Sequence, residues 1–565
     1  MSSEYLPPAA PRVFSSRLAV VSDGAARSAA VCPLDFGRRV LYLTGVQVES
    51  SKPPSLVPLV VTLFALIVAF HLGNALLGKP LFLGSHLGTA LEYARGPINL
   101  LRPVIVGFNA TGTPTAPELP LWQAAAGLAF KATGSTWYGW ANLVSLLAFA
   151  TALWPFFQLA RHYVGERAAW WGTAFFLTQP LIVLWAGLAS TEAFCQVLAI
   201  WYLFFADKMI RTGNAWWWLP TTLLAALSAV SKVPFFMAAG LCSVFLLMVN
   251  GVRPWRTWGL LAGAGVVAVG LFAAWTHHTG NLAAQAEYPY YELRLSHSPL
   301  LVWWCFGDWH FRLSPGPWIK GGWRFLHATL GSLPLIALLV PALLRAGNRL
   351  PKLWLLATFL TTLVFTHLVL EHWHYYLMCC PAVALLCGAT LARWEPFWAQ
   401  EMPATWLRLA LAGGVLVLSA IEGVISMKVA INYDYYPQKI AALLQQYTKP
   451  EDKLIFYDSA RWSGEELFRS GRKGLCVYSL EGLKGVNTVK GLYDLLGNQT
   501  DLHRLKSLGY NKLVLMSESP VQVAVQAVNP GSKRQRFCYP ATISPTVDAW
   551  PVVYRSEDIL IKEIP

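Results

Sequence analysis

Carboxylates can take a proton from a hydroxyl, and ammonium, guanidinium or imidazole groups can hold the charge of a phosphate. This chain places both kinds at the ends of long apolar runs. The stretch 86–122, HLGTALEYARGPINLLRPVIVGFNATGTPTAPELPLW, carries Glu92, Glu118, Arg95 and Arg102. Glu192 heads an apolar run and Lys232 separates two others. Asp308 and His310 lie in a later polar loop, and Glu371, His372 and His374 follow. Ionisable groups beside hydrocarbon are expensive, which makes them functional candidates by default. Brought to one face of a membrane, they would form a polar site for acid–base chemistry on an anionic substrate.

Each group also has a plainer reading. Glu192 follows Ser190-Thr191 at a helix start and would favour the helix dipole there. Lys232 can snorkel to an interface. His372 and His374 are two residues apart in a short turn, a poor spacing for a metal pair, and a divalent cation is left open. The tandem His277-His278 reads as an interfacial cap. Most of the 26 Trp residues, Trp216 to Trp218 among them, read as an interfacial belt.

The elements that would position these groups are set by composition. Of 565 residues, 55% are hydrophobic and only 13% charged, with a mean hydropathy of +0.43. A soluble protein would carry about 25% charged residues. The formal charge of +14 is spread over short loops, which favours membrane orientation over nucleic-acid binding. Most of the nine cysteines lie in apolar runs and read as small buried hydrophobes. Cys476 and Cys538 share a polar region and could pair outside the cell.

Residues 1–52 are polar, basic and rich in Pro, Ser and Ala, as expected of a disordered cytoplasmic tail. Apolar runs then predict eleven spans, near 56–77, 137–159, 168–186, 191–206, 215–231, 233–250, 257–276, 325–344, 353–370, 375–391 and 406–427. Arg161, Arg167, Lys208, Arg211, Arg253, Arg256, Arg345, Arg349, Lys352, Arg393 and Arg408 all fall in alternate loops on the side of the N-terminal tail. The positive-inside rule therefore places the N-terminus in the cytoplasm of a cell (inner) membrane protein. Loops 78–136 and 277–324 face outward, as does everything after about 430. The transmembrane domain is expected over 53–430. The remainder, 431–565, alternates helical patterns (PQKIAALLQQY, DLHRLKSLGY) with β-rich runs (KLIFYD, LCVYSL, KLVLMS, ILIKEI), predicting an extracytoplasmic α/β domain.

Several segments, in order, resemble the dolichyl-phosphate-mannose protein mannosyltransferase superfamily, the GT-C membrane glycosyltransferases that include the bacterial lipid A aminoarabinose transferases. HLGTALEYAR and GFNATGTPTAPELPLWQ resemble the family's first outer loop, and FFQLARHYVGERAAWWGTAFFLTQPL its next cytoplasmic turn. Ser190-Thr191-Glu192, AVSKVPFF, WWCFGDWHFRLSPGPW and HWHYYLMCCPAVALLCG follow in family order. The resemblance implies a polytopic α-helical GT-C fold and transfer of a sugar from a polyprenyl-phosphate donor to a hydroxyl by inverting displacement. The acceptor would be a glycan, lipid or protein, the bilayer is a further partner, and no nucleic acid is involved. Within that frame the nearest carboxylates, Glu92 with Glu192, are expected as the acidic pair, and Glu118 is in reserve. Lys232, Arg102 and His374 would hold the donor phosphate. Tyr93, Trp303, Trp304, Asp308, Tyr375 and Tyr376 would contact sugar or acceptor.

The motif also departs from the family. Aligning Ala94-Arg95 puts His86 and Leu87 where the acidic pair belongs, and Ala116 where a lysine belongs. Glu92, six residues on, would lie about 120° round a helix from His86. Two further readings stand beside transfer: a GT-C-like binder of lipid-linked sugar without catalysis, and a polysaccharide ligase or transporter.

Overall fold

The computed structural model describes residues 55–77, 84–104, 118–250, 255–284, 299–332, 335–345, 347, 349–401, 405–431, 436–458, 465–478, 499–516, 545–557 and 559–565. The expected N-terminal tail, Ala116 and Cys538 lie outside the described residues.

Apolar sequence and helix termini set the elements in turn. α1 is Val57–Leu76, α2 Gly84–Arg95, α3 Leu121–Thr133, α4 Gly139–Val164, α5 Glu166–Thr178, α6 Pro180–Trp185 and α7 Thr191–Thr212. α8 is Trp218–Val249, α9 Trp255–Ala284, α10 Pro299–Phe306, α11 Trp309–Leu313, α12 Pro315–Thr329, α13 Ile336–Leu344, α14 Arg349–Val364 and α15 Thr366–Glu371. A 3₁₀ turn at Trp373–Met378 leads into α16, Cys380–Glu401, and α17, Thr405–Ile431.

Among the described residues, six helical stretches are long and apolar enough to cross a membrane: Val57–Leu76, Gly139–Val164, Thr191–Thr212, Ala215–Val249, Trp255–Leu282 and Trp406–Ile425. One of them folds back on itself. α8 has 32 residues and would be about 48 Å long if straight. Yet Trp218 Nε1, at its start, donates to Leu260 O at 2.9 Å, close to the start of α9. The few residues joining Val249 to Trp255 cannot span that length. The reversal is at Lys232, whose backbone is extended (φ −164°, ψ 97°), just before Pro234. The two arms are the expected spans 215–231 and 233–250, and Lys232 is the corner between them.

Four other expected spans are interrupted. The run 168–186 breaks between α5 and α6, because Pro180 has no N–H to continue a helix and suits the first position of a new one. The run 353–370 breaks at Phe365, 375–391 begins as the 3₁₀ turn, and 325–344 divides between α12 and α13. The expected outer loop 78–136 contains two packed helices. A Cβ on Gly127 of α3 would come within 2.7 Å of Tyr93 Cβ on α2, so only glycine permits this approach. Leu87, Ala90, Trp122, Ala126 and Phe130 close the small core between them. In the bundle, Gly388 of α16 lies so near α5 that a Cβ would sit 2.3 Å from Gly172 N.

After α18 (Tyr436–Tyr447) comes a five-stranded sheet: β1 Lys453–Asp458, β2 Lys473–Tyr478, β3 Tyr510–Met516, β4 Val552–Arg555 and β5 Ile559–Glu563. Its order is β2-β1-β3-β5-β4. β1 is parallel to β2 and β3, while β5 is antiparallel to β3 and β4. α19 (Glu465–Ser470) connects β1 to β2, α20 (Gln499–Ser507) precedes β3, and α21 (Pro545–Asp548) precedes β4. Ile440, Leu444, Phe456, Val514 and Ile561 form its core. Cys476 is buried in β2.

Candidate active site

The site is assembled around the start of α7. The segment leading into that helix is held by α4: Asn142 Nδ2 donates to Gly187 O (2.6 Å) and Ser145 Oγ to Leu188 O (2.8 Å). Trp122 Nε1 of α3 donates in turn to Ser145 Oγ (2.8 Å). These bonds fix where Thr191 and Glu192 emerge, and Glu192 is 2% exposed.

A second set of bonds brings Lys232 and Glu118 to the same point. Pro234 has no N–H, so the carbonyl four residues back, at Val230, loses its helical partner. Leu119 N–H donates to that carbonyl at 3.0 Å. The residue before it, Glu118, is thereby laid against the corner of α8. Lys232 Nζ lies 3.1 Å from Glu118 Oε1 and 2.9 Å from Glu192 Oε1. Thr191 Oγ1 donates to Glu118 Oε2 (3.3 Å), and Thr191 N–H donates to His86 Nδ1 (3.2 Å).

The result is one ammonium between two carboxylates, with a His86 ring beside them that also meets Trp122 at 6.4 Å. Lys232 Nζ is 5.6 Å from the Tyr375 ring. His374 packs between Tyr375 (4.4 Å) and Trp185 (6.4 Å). Burial pushes the His86 imidazole below its usual range, against the weaker opposing pull of Glu192 and Glu118. Burial likewise lowers His374, and brings His372 down to about 4. Burial thus favours the neutral form of all three rings beside the ion cluster.

Several polar atoms here are buried with no partner among the described residues: Glu192 Oε2, Ser190 Oγ, Ser231 Oγ and the Gln196 side-chain amide. Buried polar groups normally find partners, so a concentration of unpaired ones beside an ion cluster points to a ligand. Among the described residues, no group of three or more His, Cys, Asp or Glu has the geometry to hold a metal ion.

Of the residues expected from sequence, the structure thus brings together Glu118, Glu192, Lys232, His374 and Tyr375. Glu92 is elsewhere. It pairs with Arg95 (3.6 Å) and with Lys473 of β2 (3.7 Å), on a different side of α2 from His86. The helical phase separating positions 86 and 92 accounts for this. Arg102 is exposed in a turn, its N–H bonded to Asn99 O. Tyr93 is buried against α3 and donates from its hydroxyl to Asn99 O (3.0 Å). Asp308 caps α11 by accepting from Phe311 N–H (2.7 Å). Trp303 and Trp304 pack on His367 at 4.1 and 5.6 Å, and Trp304 also meets His372 at 4.8 Å. The Tyr376 hydroxyl is buried near Gly321, with no partner among the described residues. His278, expected as a cap, clasps the segment after α2 through Leu101 O (2.7 Å).

Sequence reasoning gave no role to His86, Ser231 or Gln196. His86 alone carried a signal, since it occupies the aligned acidic position. Ser231 lies within AVSKVPFF, where Lys232 drew the reading, and Gln196 has no motif that separates it from ordinary helix residues.

No protein-family model matches the sequence, and no curated protein matches it. Solved structures do. ArnT from Cupriavidus metallidurans bound to undecaprenyl phosphate superposes with a TM-score of 0.57 at 14% identity, covering 89% of this chain and 98% of that one. The same protein in the apo state gives 0.54 at 14% identity, covering 89% and 97%. Likeness at this identity establishes the architecture. The chain is a polytopic helical membrane protein with the GT-C fold and a small C-terminal sheet.

Proposed function

We propose that the chain transfers a sugar from a polyprenyl-phosphate donor to a hydroxyl acceptor at the outer face of the membrane. The observation that carries this reading is Lys232, buried at a helix corner between Glu118 and Glu192, with Glu192 Oε2 left without a partner among the described residues. An ammonium has three N–H donors. Two meet the carboxylates, and the third is available to a phosphate oxygen. Glu192 Oε2 can accept the proton of an attacking hydroxyl, a contribution of about 10²–10⁴ in rate for a positioned base.

The atoms balance without a further reactant. The hydroxyl oxygen forms a bond to the anomeric carbon as the carbon–oxygen bond to phosphate breaks. The bonding pair leaves on the phosphate oxygen, and the hydroxyl proton passes to Glu192. Attack opposite the leaving group inverts the anomeric centre. The activated bond is already in the donor, so no nucleotide site is required. The fold shared with an ArnT structure containing undecaprenyl phosphate supports a polyprenyl phosphate as the lipid. The placement of the basic loops supports an outward-facing site, because Arg211 and the start of α8 lie at the end opposite Lys232.

The test is transfer by the purified full chain in proteoliposomes, using lipid-linked sugars and acceptors extracted from the source membranes. Glu192→Gln lowers kcat at least about 100-fold, within the range for loss of a general base. Unchanged transfer in Glu192→Gln, Glu118→Gln and Lys232→Met alike would overturn the reading. Lipid binding without any transfer by the wild type would favour the non-catalytic binder.

A further inference from the structure

We infer that His86 is a neutral hydrogen-bond donor to the donor-lipid phosphate, presenting Nε2–H to the oxygen that gains charge as the sugar departs. The inference rests on the function proposed above. It assigns a role to a position where the aligned motif carries an acid and this chain carries imidazole.

The tautomer follows from one bond. Thr191 N–H, at the first position of α7, points at His86 Nδ1 across 3.2 Å. A backbone amide can only donate, so Nδ1 accepts and, in the neutral ring, the proton is on Nε2. A flipped ring would set a carbon against that amide, so the bond also fixes ring orientation. His86 makes no other hydrogen bond among the described residues. Nε2–H is therefore an uncommitted donor on a ring beside Glu118, Glu192 and Lys232.

The charge balance gives that donor its use. Two carboxylates face one ammonium, and an incoming phosphodiester adds another negative charge. A third carboxylate at position 86 would oppose it further. A neutral donor stabilises the phosphate without adding negative charge, and without taking the proton that goes to Glu192. In the transfer step His86 neither gains nor loses a proton. It holds the phosphate oxygen while the carbon–oxygen bond breaks, acting as a preorganised donor at the point where charge develops.

A plainer role for His86 would be to satisfy the Thr191 amide and nothing more. Two substitutions separate the roles. An Asn side chain reaches about as far as Nδ1 and can keep the bond to Thr191. A Gln amide reaches about as far as Nε2 and can keep the donor. The measurement is binding of undecaprenyl phosphate by the purified full-length protein, alongside sugar transfer.

Hydrogen bonds to charged groups set the scale. His86→Asn should bind the lipid about 10- to 100-fold more weakly, with a matching fall in kcat/KM. His86→Gln should stay within about 5-fold of wild type. The reverse order, or an Asn variant that binds like wild type, would overturn the assignment while leaving the transfer function standing. A wild-type protein that neither binds this lipid nor transfers sugar would overturn both. Wild-type binding that is weakened by His86→Asn but unaccompanied by transfer would sink the transfer reading and support His86 as a phosphate donor.

Discussion

Lys232→Met gives the most direct view of how the buried ion cluster is held. The cost can be worked from the partners that remain. The Glu192 side chain is 3% exposed, and its only partner among the described residues is Lys232, through Oε1. Without the ammonium, Glu192 is a buried carboxylate with neither oxygen paired, a state that costs about 3–5 kcal/mol. Glu118 is 27% exposed and keeps its bond from Thr191 Oγ1, so its share is about 0–1 kcal/mol. Most of the penalty should therefore disappear when Glu192 is also neutralised. Thermal unfolding in detergent, followed by tryptophan fluorescence, should rank wild type above Glu192→Gln/Lys232→Met, and that double variant above Lys232→Met. Adding Glu118→Gln to Lys232→Met should restore much less. If the Glu192 double variant were no more stable than Lys232→Met alone, the buried pair would not be the feature that fixes this corner.

Other consequences follow from neighbouring residues. Pro234→Ala returns an N–H that competes with Leu119 for Val230 O, which should loosen Glu118 and lower kcat/KM about 10-fold with little change in folding; transfer kinetics check this. Gly388→Ala should lower the yield of folded protein sharply, because its Cβ would meet α5, whereas Gly414→Ala, with open space around it, should be silent in the same size-exclusion assay. Glu92→Gln should leave transfer within about 2-fold, as its partners are half-exposed surface cations. Burial raises the Glu371 carboxyl, but Lys320 and Arg324 outweigh it and hold the group below its usual range. Its folded value is depressed, so its stabilisation is present above the unfolded value of about 4.5 and is lost as pH falls through the folded one. The difference in melting temperature between wild type and Glu371→Gln should therefore narrow on acidification below pH 4.5.

Much of the fold could be read from the order of apolar runs, because hydrocarbon length and loop charge constrain a membrane chain tightly. The pair of runs around Lys232 illustrates this. Hydropathy separates them at the residue where the backbone turns, and Pro234 explains why the turn is there. The interruptions at Gln179–Pro180 and Phe365 were less legible, since broken and continuous helices share the same hydropathy. The site divides in the same way. Glu192 and Lys232 stand at run boundaries, and charge alone marks them. Glu92 was misleading because sequence proximity to the motif says nothing of helix face, and at six residues' separation the face changes. His86 was hidden for the opposite reason: the motif called for an acid, and only the structure reveals that its ring accepts from the amide of Thr191.

The proposed function requires the Lys232–Glu192 site to move sugar from a polyprenyl phosphate. Deleting the gene and measuring lipid-linked sugars and surface glycans by mass spectrometry tests it most directly. The expected result is accumulation of a polyprenyl-phosphate monosaccharide and loss of that sugar from an acceptor, both reversed by the wild-type gene and by neither Lys232→Met nor Glu192→Gln. An unchanged set of lipid-linked sugars and glycans in the deletion strain would contradict the claim.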